Sequence, residues 1–273
     1  GVGLEIVPSL ITTRNRSFVT GAEDSDLEPQ LDIAYRLTSS LNASLTLNTD
    51  FSATEVDDRQ VNLTRFGLFF PEKRDFFLRE ADIFEFGNIG RPNGAVYGFG
   101  PGGQNGRPFF SRRIGLSATG QPVALDYGTK LSGRSGDWEL GLMSIRQDEF
   151  GAADADTLSV ARVKLGVLRE SSVGIIATEG DPGSNLDNSL TGFDFQYRNS
   201  RLPGGKRLES ELWFQQSDTQ GLVEDDSAFG VGINLPSAEG FRGGAQFRRY
   251  EQNFNPALGF LNRRGVTDAT FDL

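Results

Sequence analysis

The sequence predicts an all-β protein: an antiparallel up-and-down β-barrel of transmembrane type, or part of one, with one inserted charged-aromatic segment. Three observations carry this expectation. Apolar and polar residues alternate with period two over stretches of roughly 8–12 residues, near the ~9–11 that a tilted strand needs to cross a bilayer. Strands of soluble domains are shorter, typically about 5–6 residues. Connections between these stretches alternate between short turns and long acidic loops, as in an up-and-down barrel. Finally, 34 Gly and 22 Phe in 273 residues, with a single Met, favour strands and turns.

The strands can be followed in order. Leu31, Ile33, Tyr35 and Leu37 share one face, with Asp32, Arg36 and Thr38 on the other. From 43 to 52, Ala43, Leu45, Leu47 and Phe51 oppose Ser44, Thr46, Asn48 and Asp50. Val123, Leu125, Tyr127 and Leu131 oppose Asp126 and Lys130; Ala161, Val163, Leu165 and Val167 oppose Arg162 and Lys164. Phe193, Phe195 and Tyr197 oppose Asp194, Gln196 and Arg198. Leu208, Leu212 and Phe214 oppose Glu209, Glu211 and Gln215, with Trp213 intruding on the polar side. Phe229, Val231, Ile233 and Leu235 oppose Gly230, Gly232 and Asn234, and Phe241, Ala245 and Phe247 oppose Arg242, Gln246 and Arg248. Aromatics near strand ends (Phe51, Tyr127, Trp138, Tyr197, Phe214, Phe241 and Tyr250) suggest the girdles of a membrane barrel. Both chain ends read as strand, so the expectation is one barrel domain over 1–273, taken from a longer chain.

Composition removes several functions. Without Cys there is no disulfide, thiol nucleophile or thiolate metal site, and without His no Ser-His-Asp triad or His-ligated zinc or haem. No cofactor and no metal site is expected. The net charge of −10 argues against nucleic acid as a partner. No apolar run approaches the ~20 residues of a spanning helix, so any crossing of a membrane falls to strands. The acidic loops at 147–157, 179–189 and 217–227 read as solvated connections.

Residues 53–108 break the rhythm. They are too long for a turn and lack alternation, and are expected to fold into the lumen as a plug-like insert. The segment contains Asn62-Leu63-Thr64-Arg65-Phe66-Gly67-Leu68-Phe69-Phe70-Pro71-Glu72-Lys73-Arg74-Asp75-Phe76-Phe77-Leu78, then Ala81-Asp82-Ile83-Phe84-Glu85-Phe86-Gly87. Downstream lie Pro108-Phe109-Phe110-Ser111-Arg112-Arg113-Ile114-Gly115 and Asn255-Pro256-Ala257-Leu258-Gly259-Phe260, with Arg263-Arg264 beyond. In that order these runs resemble the bacterial domain-of-unknown-function 5916 family. The resemblance is dense over residues 50–115. It departs from the family pattern at Asp75, where the family often has Pro, and at Arg79, where it often has an acidic residue.

The resemblance implies a bacterial outer-membrane β-barrel following a carbohydrate-binding-like module of family nine. Outer-membrane lipid is then a partner and a saccharide a ligand, and some members are described as membrane-associated hydrolases. The charged residues of the insert suggest an ion-pair network that locks it in place, or a selectivity filter or sugar-binding surface. The candidate ligand-binding residues are Arg65, Glu72, Lys73, Arg74, Asp82, Arg112 and Arg113, with no catalytic residue assigned. The expected role is non-catalytic, passing or docking a solute. The alternatives are a glycan-active hydrolase using a carboxylate pair (Glu72 with Glu80, or Asp57 with Asp82) and a soluble β-sandwich binding module.

Overall fold

The computed structural model describes residues 3–16, 23–49, 72–90, 101–117, 121–236, 240 and 242–273. Among them, twelve strands form one antiparallel sheet in chain order. They are β1 (Leu4–Arg16), β2 (Glu23–Arg36), β3 (Leu41–Thr49), β4 (Leu125–Ser135), β5 (Trp138–Gln147), β6 (Asp156–Val167), β7 (Ser171–Glu179), β8 (Asn188–Leu202), β9 (Lys206–Thr219), β10 (Ser227–Leu235), β11 (Gly243–Tyr250) and β12 (Val266–Asp272). Each strand pairs with its sequence neighbours. The edge strands β1 and β12 do not pair with each other, so the sheet is open. It is thus an open up-and-down sheet, the arrangement expected of part of a barrel, and a single sheet where a sandwich would need two.

The connections fall into two sets. Those at 37–40, 136–137, 168–170, 203–205 and 236–242 share one end of the sheet and are 2–7 residues long; those at 148–155, 180–187, 220–226 and 251–265 share the other and are 7–15 residues long. The stretch from 50 to 124 leaves from the long-loop end and returns to it. Its described residues hold α1 (Asp75–Leu78) and three 3-10 turns, Ala81–Phe84, Pro101–Gln104 and Ser111–Arg113. They add no further crossing of the sheet.

This insert defines an inner and an outer face. On the inner face Thr46, Lys130, Ser132, Arg162, Asp194, Glu211, Gln215 and Arg248 are all buried. On the outer face Ile6, Leu10, Leu142, Ile175, Phe193, Leu212, Phe214, Val231, Ile233 and Phe247 are all exposed. The register lines Leu140, Val163, Ile175, Phe193, Phe214 and Phe229 into one row across β5 to β10. A second row runs Val173, Phe195, Leu212, Val231, Phe247, Ala269 across β7 to β12. The sheet is inside out relative to a soluble protein: its polar side is covered and its apolar side bare.

The core lies between the insert and the inner face. Phe77, Ile83, Phe84, Phe86 and Ile89 of the insert pack with Met143, Ile145, Leu158, Ile176 and Trp213 of the sheet and with Phe254 and Leu258 of the 251–265 connection. Bulky rings sit over strand glycines. A Cβ on Gly141 would lie 2.7 Å from the Phe84 ring, and one on Gly230 would lie 2.4 Å from the Trp213 ring. Trp213, the aromatic that interrupts the polar side of its strand, is therefore an inner-face anchor with no exposure. Tyr250 corrects an expectation: it is no girdle residue, being buried inward with its hydroxyl donating to the Asn105 carbonyl at 2.9 Å.

Gly174 on β7 has a comparable task. A Cβ there would lie 2.6 Å from Nη1 of Arg162 on β6 and 2.8 Å from Oδ1 of Asp194 on β8. Only a residue without a side chain lets this ion pair cross the intervening strand. Gly174→Ala is expected to lower stability by about 1–3 kcal/mol. Gly166→Ala, whose Cβ would meet only ordinary contacts at 3.5 Å, should stay within about 0.5 kcal/mol. Denaturant midpoints of the two variants check the contrast.

Candidate functional site

The expected site residues separate into two places and one that is not seen. At the long-loop end, Glu72 and Arg74 form a buried fork. Arg74 Nε donates to Oε1 at 2.8 Å and Nη2 to Oε2 at 2.7 Å. The same carboxylate accepts the backbone N–H groups of Lys73 and Arg74, both at 2.9 Å, and the Ser111 hydroxyl at 2.6 Å. Arg74 then donates to the carbonyls of Ile114 at 2.6 Å and Ser111 at 2.7 Å. Its guanidinium lies 4.2 Å from the centre of the Phe77 ring. The Glu-Lys-Arg run and the Ser-Arg-Arg-Ile run, far apart in sequence, are thereby one unit. Burial alone would raise the Glu72 carboxyl. The hydrogen bonds and charge of Arg74, with the Ser111 hydroxyl, outweigh it and hold the group below its ordinary value of 4.5.

Arg112 and Arg113 share the adjacent 3-10 turn. Arg113 Nε donates to the Ala257 carbonyl at 3.2 Å, fastening the unit to the β11–β12 connection. The backbone continues that contact: Phe110 N–H donates to Leu258 at 2.8 Å and Gly106 N–H to Phe260 at 2.9 Å. Gly259 is required there, since a Cβ would lie 2.0 Å from the Arg107 carbonyl oxygen. Asp82 belongs elsewhere. It pairs with Arg134 at the β4–β5 turn, at the opposite end of the sheet, where both side chains are exposed. Arg65 and Asp57 lie outside the described residues.

The strongest ties between insert and sheet come from strand residues that sequence reading assigned only to a polar face. Arg162 is 0 % exposed and meets Asp194 side-on, Nη1 to Oδ1 at 2.6 Å and Nη2 to Oδ2 at 3.0 Å. Both then grip the insert: Arg162 donates to the Glu85 carbonyl at 2.9 Å, and Asp194 accepts the Gly87 N–H at 3.1 Å. The Lys130 ammonium donates to the carbonyls of Phe76 and, at 2.8 Å, Arg79. Gln215 donates to the Gly106 carbonyl at 2.8 Å. Gln147 accepts the Gly115 N–H at 2.9 Å. Glu211 pairs with Arg248 across β10 at 3.3 Å. The signal that could have found them is a charge on an inner-face register position beside a strand glycine.

Chemically this is a clasp. The Glu72 oxygens are committed to five donors, and Glu80 accepts from Asn42 Nδ2 at 2.5 Å and from the Ser132 hydroxyl. The two carboxylates serve different anchors, one at each end of the insert, so they do not form the facing pair that glycoside hydrolysis needs.

Fold and site define an all-β antiparallel sheet protein whose inner face is clasped to its own insert. The model of the domain of unknown function DUF5916 matches residues 2–91, about a third of the chain. The match takes in β1 to β3 and the first two motif runs, and ends before the Ser-Arg-Arg-Ile run. No curated protein matches the chain.

Two outcomes follow from the clasp. Arg162→Met leaves Asp194 buried without its counter-charge and is expected to cost about 3–5 kcal/mol, whereas Arg162→Met with Asp194→Leu should recover much of that loss. A double-mutant cycle in denaturant measures the coupling. The Glu72 group titrates lower when folded than when unfolded. Its contribution is therefore fully present above pH 4.5 and is lost as the pH falls through the lower folded value. The acid-side decline in stability should shrink in Glu72→Gln, as read from unfolding midpoints across pH.

Proposed function

We propose that the chain forms the wall and the fixed internal plug of a bacterial outer-membrane β-barrel that docks or passes a solute without catalysis. The observation that carries this reading is the inverted sheet. Two uninterrupted apolar rows, exposed or half-buried, run across strands of 7–15 residues, while buried charges line the opposite side. In water an apolar surface of that extent is a liability; against lipid it is the stable arrangement. The two sets of connections fit the same orientation, short turns toward the periplasm and long loops outward. Trp138, 54 % exposed, and Tyr127, 37 % exposed, would sit on the lipid-facing side. The saccharide relation rests on the module that the family resemblance implies.

The reading is tested by folding the chain into detergent micelles and lipid vesicles. A heat-modifiable band on gel electrophoresis and protection of the strands by lipid are expected; a stable, monodisperse protein without detergent would overturn it. Val231→Arg, in the middle of the second apolar row, should destabilise the vesicle-folded form by about 2–4 kcal/mol if it lies near the bilayer midplane. The same substitution in a water-exposed surface would be nearly neutral.

A further inference from the structure

The insert does not cover the inner face evenly. Over β4 to β11 the inward side chains are buried beneath it, as Lys130, Arg162, Asp194, Glu211 and Arg248 show. Over β1 and β2 the inward positions stand open: Glu5, Val7, Asp32 and Arg36 are all exposed. Between the Arg79–Glu80 turn of the insert and strands β1 to β4 lies a cavity of about 460 Å³. Its charged lining is Glu5, Arg36, Arg79, Glu80 and Lys130, with Asn42 beside them. That size falls in the range of small-molecule sites, about 300–1,000 Å³.

The charges in this cavity are of two kinds. Lys130 and Glu80 are fixed, the first by the carbonyls of Phe76 and Arg79, the second by Asn42 and Ser132. They form a floor that holds its shape. Arg36 and Arg79 are free to turn. Among the described residues Arg36 has no ion-pair partner. Arg79 reaches Glu5 only at 3.7 Å, with both side chains more than half exposed, an arrangement that holds little energy. Three cations face two anions here, in a chain whose net charge is −10. A positive recess in an otherwise acidic molecule concentrates anions, and two mobile guanidinium groups are suited to a bidentate grip on a carboxylate.

The geometry points to this cavity as the solute site, and to a small carboxylate-bearing solute such as a sugar acid as its ligand. This inference rests on the barrel reading, because it takes the inner face to be the one that faces water rather than lipid. The solute then lies beside the plug, on the β1–β3 side, and the plug stays in place. Arg36 and Arg79 bind the carboxylate; Asn42 and the fixed Lys130–Glu80 floor leave room for hydroxyl groups.

The test uses the full chain folded in micelles and titrated calorimetrically at low ionic strength with D-glucuronate, with D-glucose as the neutral counterpart. Glucuronate should bind saturably and more tightly than glucose. Arg36→Gln with Arg79→Gln should weaken it by about tenfold or more, whereas Arg169→Gln with Arg264→Gln, which removes the same two charges away from the cavity, should leave it unchanged. Equal affinity for both sugars, no saturable binding, or unchanged binding in the Arg36 and Arg79 double variant would each overturn the site. Heat-modifiable mobility is recorded for every sample. Its retention with binding lost in the parent protein refutes the site alone, and its absence in the parent protein refutes the barrel reading and the site with it.

Discussion

A buried arginine and a buried aspartate on strands that are not neighbours set the terms for the rest of this molecule. Taking either charge out of water costs several kcal/mol, and the pair repays that only if its remaining donors and acceptors are met. Arg162 and Asp194 meet most of them with the backbone of the insert, at Glu85 and Gly87, leaving the buried Arg162 Nε without a partner among the described residues. Without the insert the inner face would carry bare charges. Without the sheet the insert could not persist, since its helical pieces are 3–4 residues long and isolated helices of that length do not form. Sheet and insert therefore fold as one unit, and the clasp is the reason the insert has a single position.

The glycine content follows from the same constraint. Ion pairs and rings that reach across an intervening strand need a strand with nothing on its inner side. Gly174 lies under the Arg162–Asp194 pair, Gly230 under Trp213, Gly192 under Phe86 and Gly141 under Phe84. The outer-face neighbours of these glycines are mostly apolar residues, so the strands keep an apolar outer surface while their inner side is shaved flat. What reads in the sequence as turn-rich composition is in good part a set of sockets.

That accounts for what could and could not be read from the chain. Strands whose inner side is polar announced themselves by alternation: β2, β3, β6, β8, β9 and β10. β5 and β7 did not, because they face the apolar part of the insert. Gly141, Met143 and Ile145 on β5 and Ile176 on β7 point inward while Leu142 and Ile175 point outward, and a strand apolar on both sides has no period of two. Val123 was read as strand, yet β4 begins at Leu125, where the chain is still leaving the insert. Within the site, the Glu72–Arg74 pair was legible because its partners lie two residues apart and inside a dense motif. Arg162 with Asp194 and Glu211 with Arg248 were not, because pairing across a skipped strand depends on register, which local sequence does not encode. Asp82 was grouped with Glu72 by proximity in sequence, and α1 with its following 3-10 turn carries it to the other end of the sheet.

On the proposed plug reading, an insert tied this firmly constrains how a solute could be handled. Displacing it would expose the two buried ion pairs and the Lys130 ammonium together and strip each of the carbonyls and amides that satisfy it. Four charge-assisted hydrogen bonds to the insert would be lost at once, each worth about 1.5–3 kcal/mol. Transient ejection at that cost does not suit routine passage. The sparsely clasped side is different. Among the described residues, the inner face along β1 and β2 meets the insert through the loose Glu5–Arg79 contact, so small shifts there break little. The asymmetry of the clasp, dense over β4 to β11 and thin over β1 and β2, therefore divides the interior into a fixed half and an adaptable half. On the reading proposed above, recognition belongs to the adaptable one.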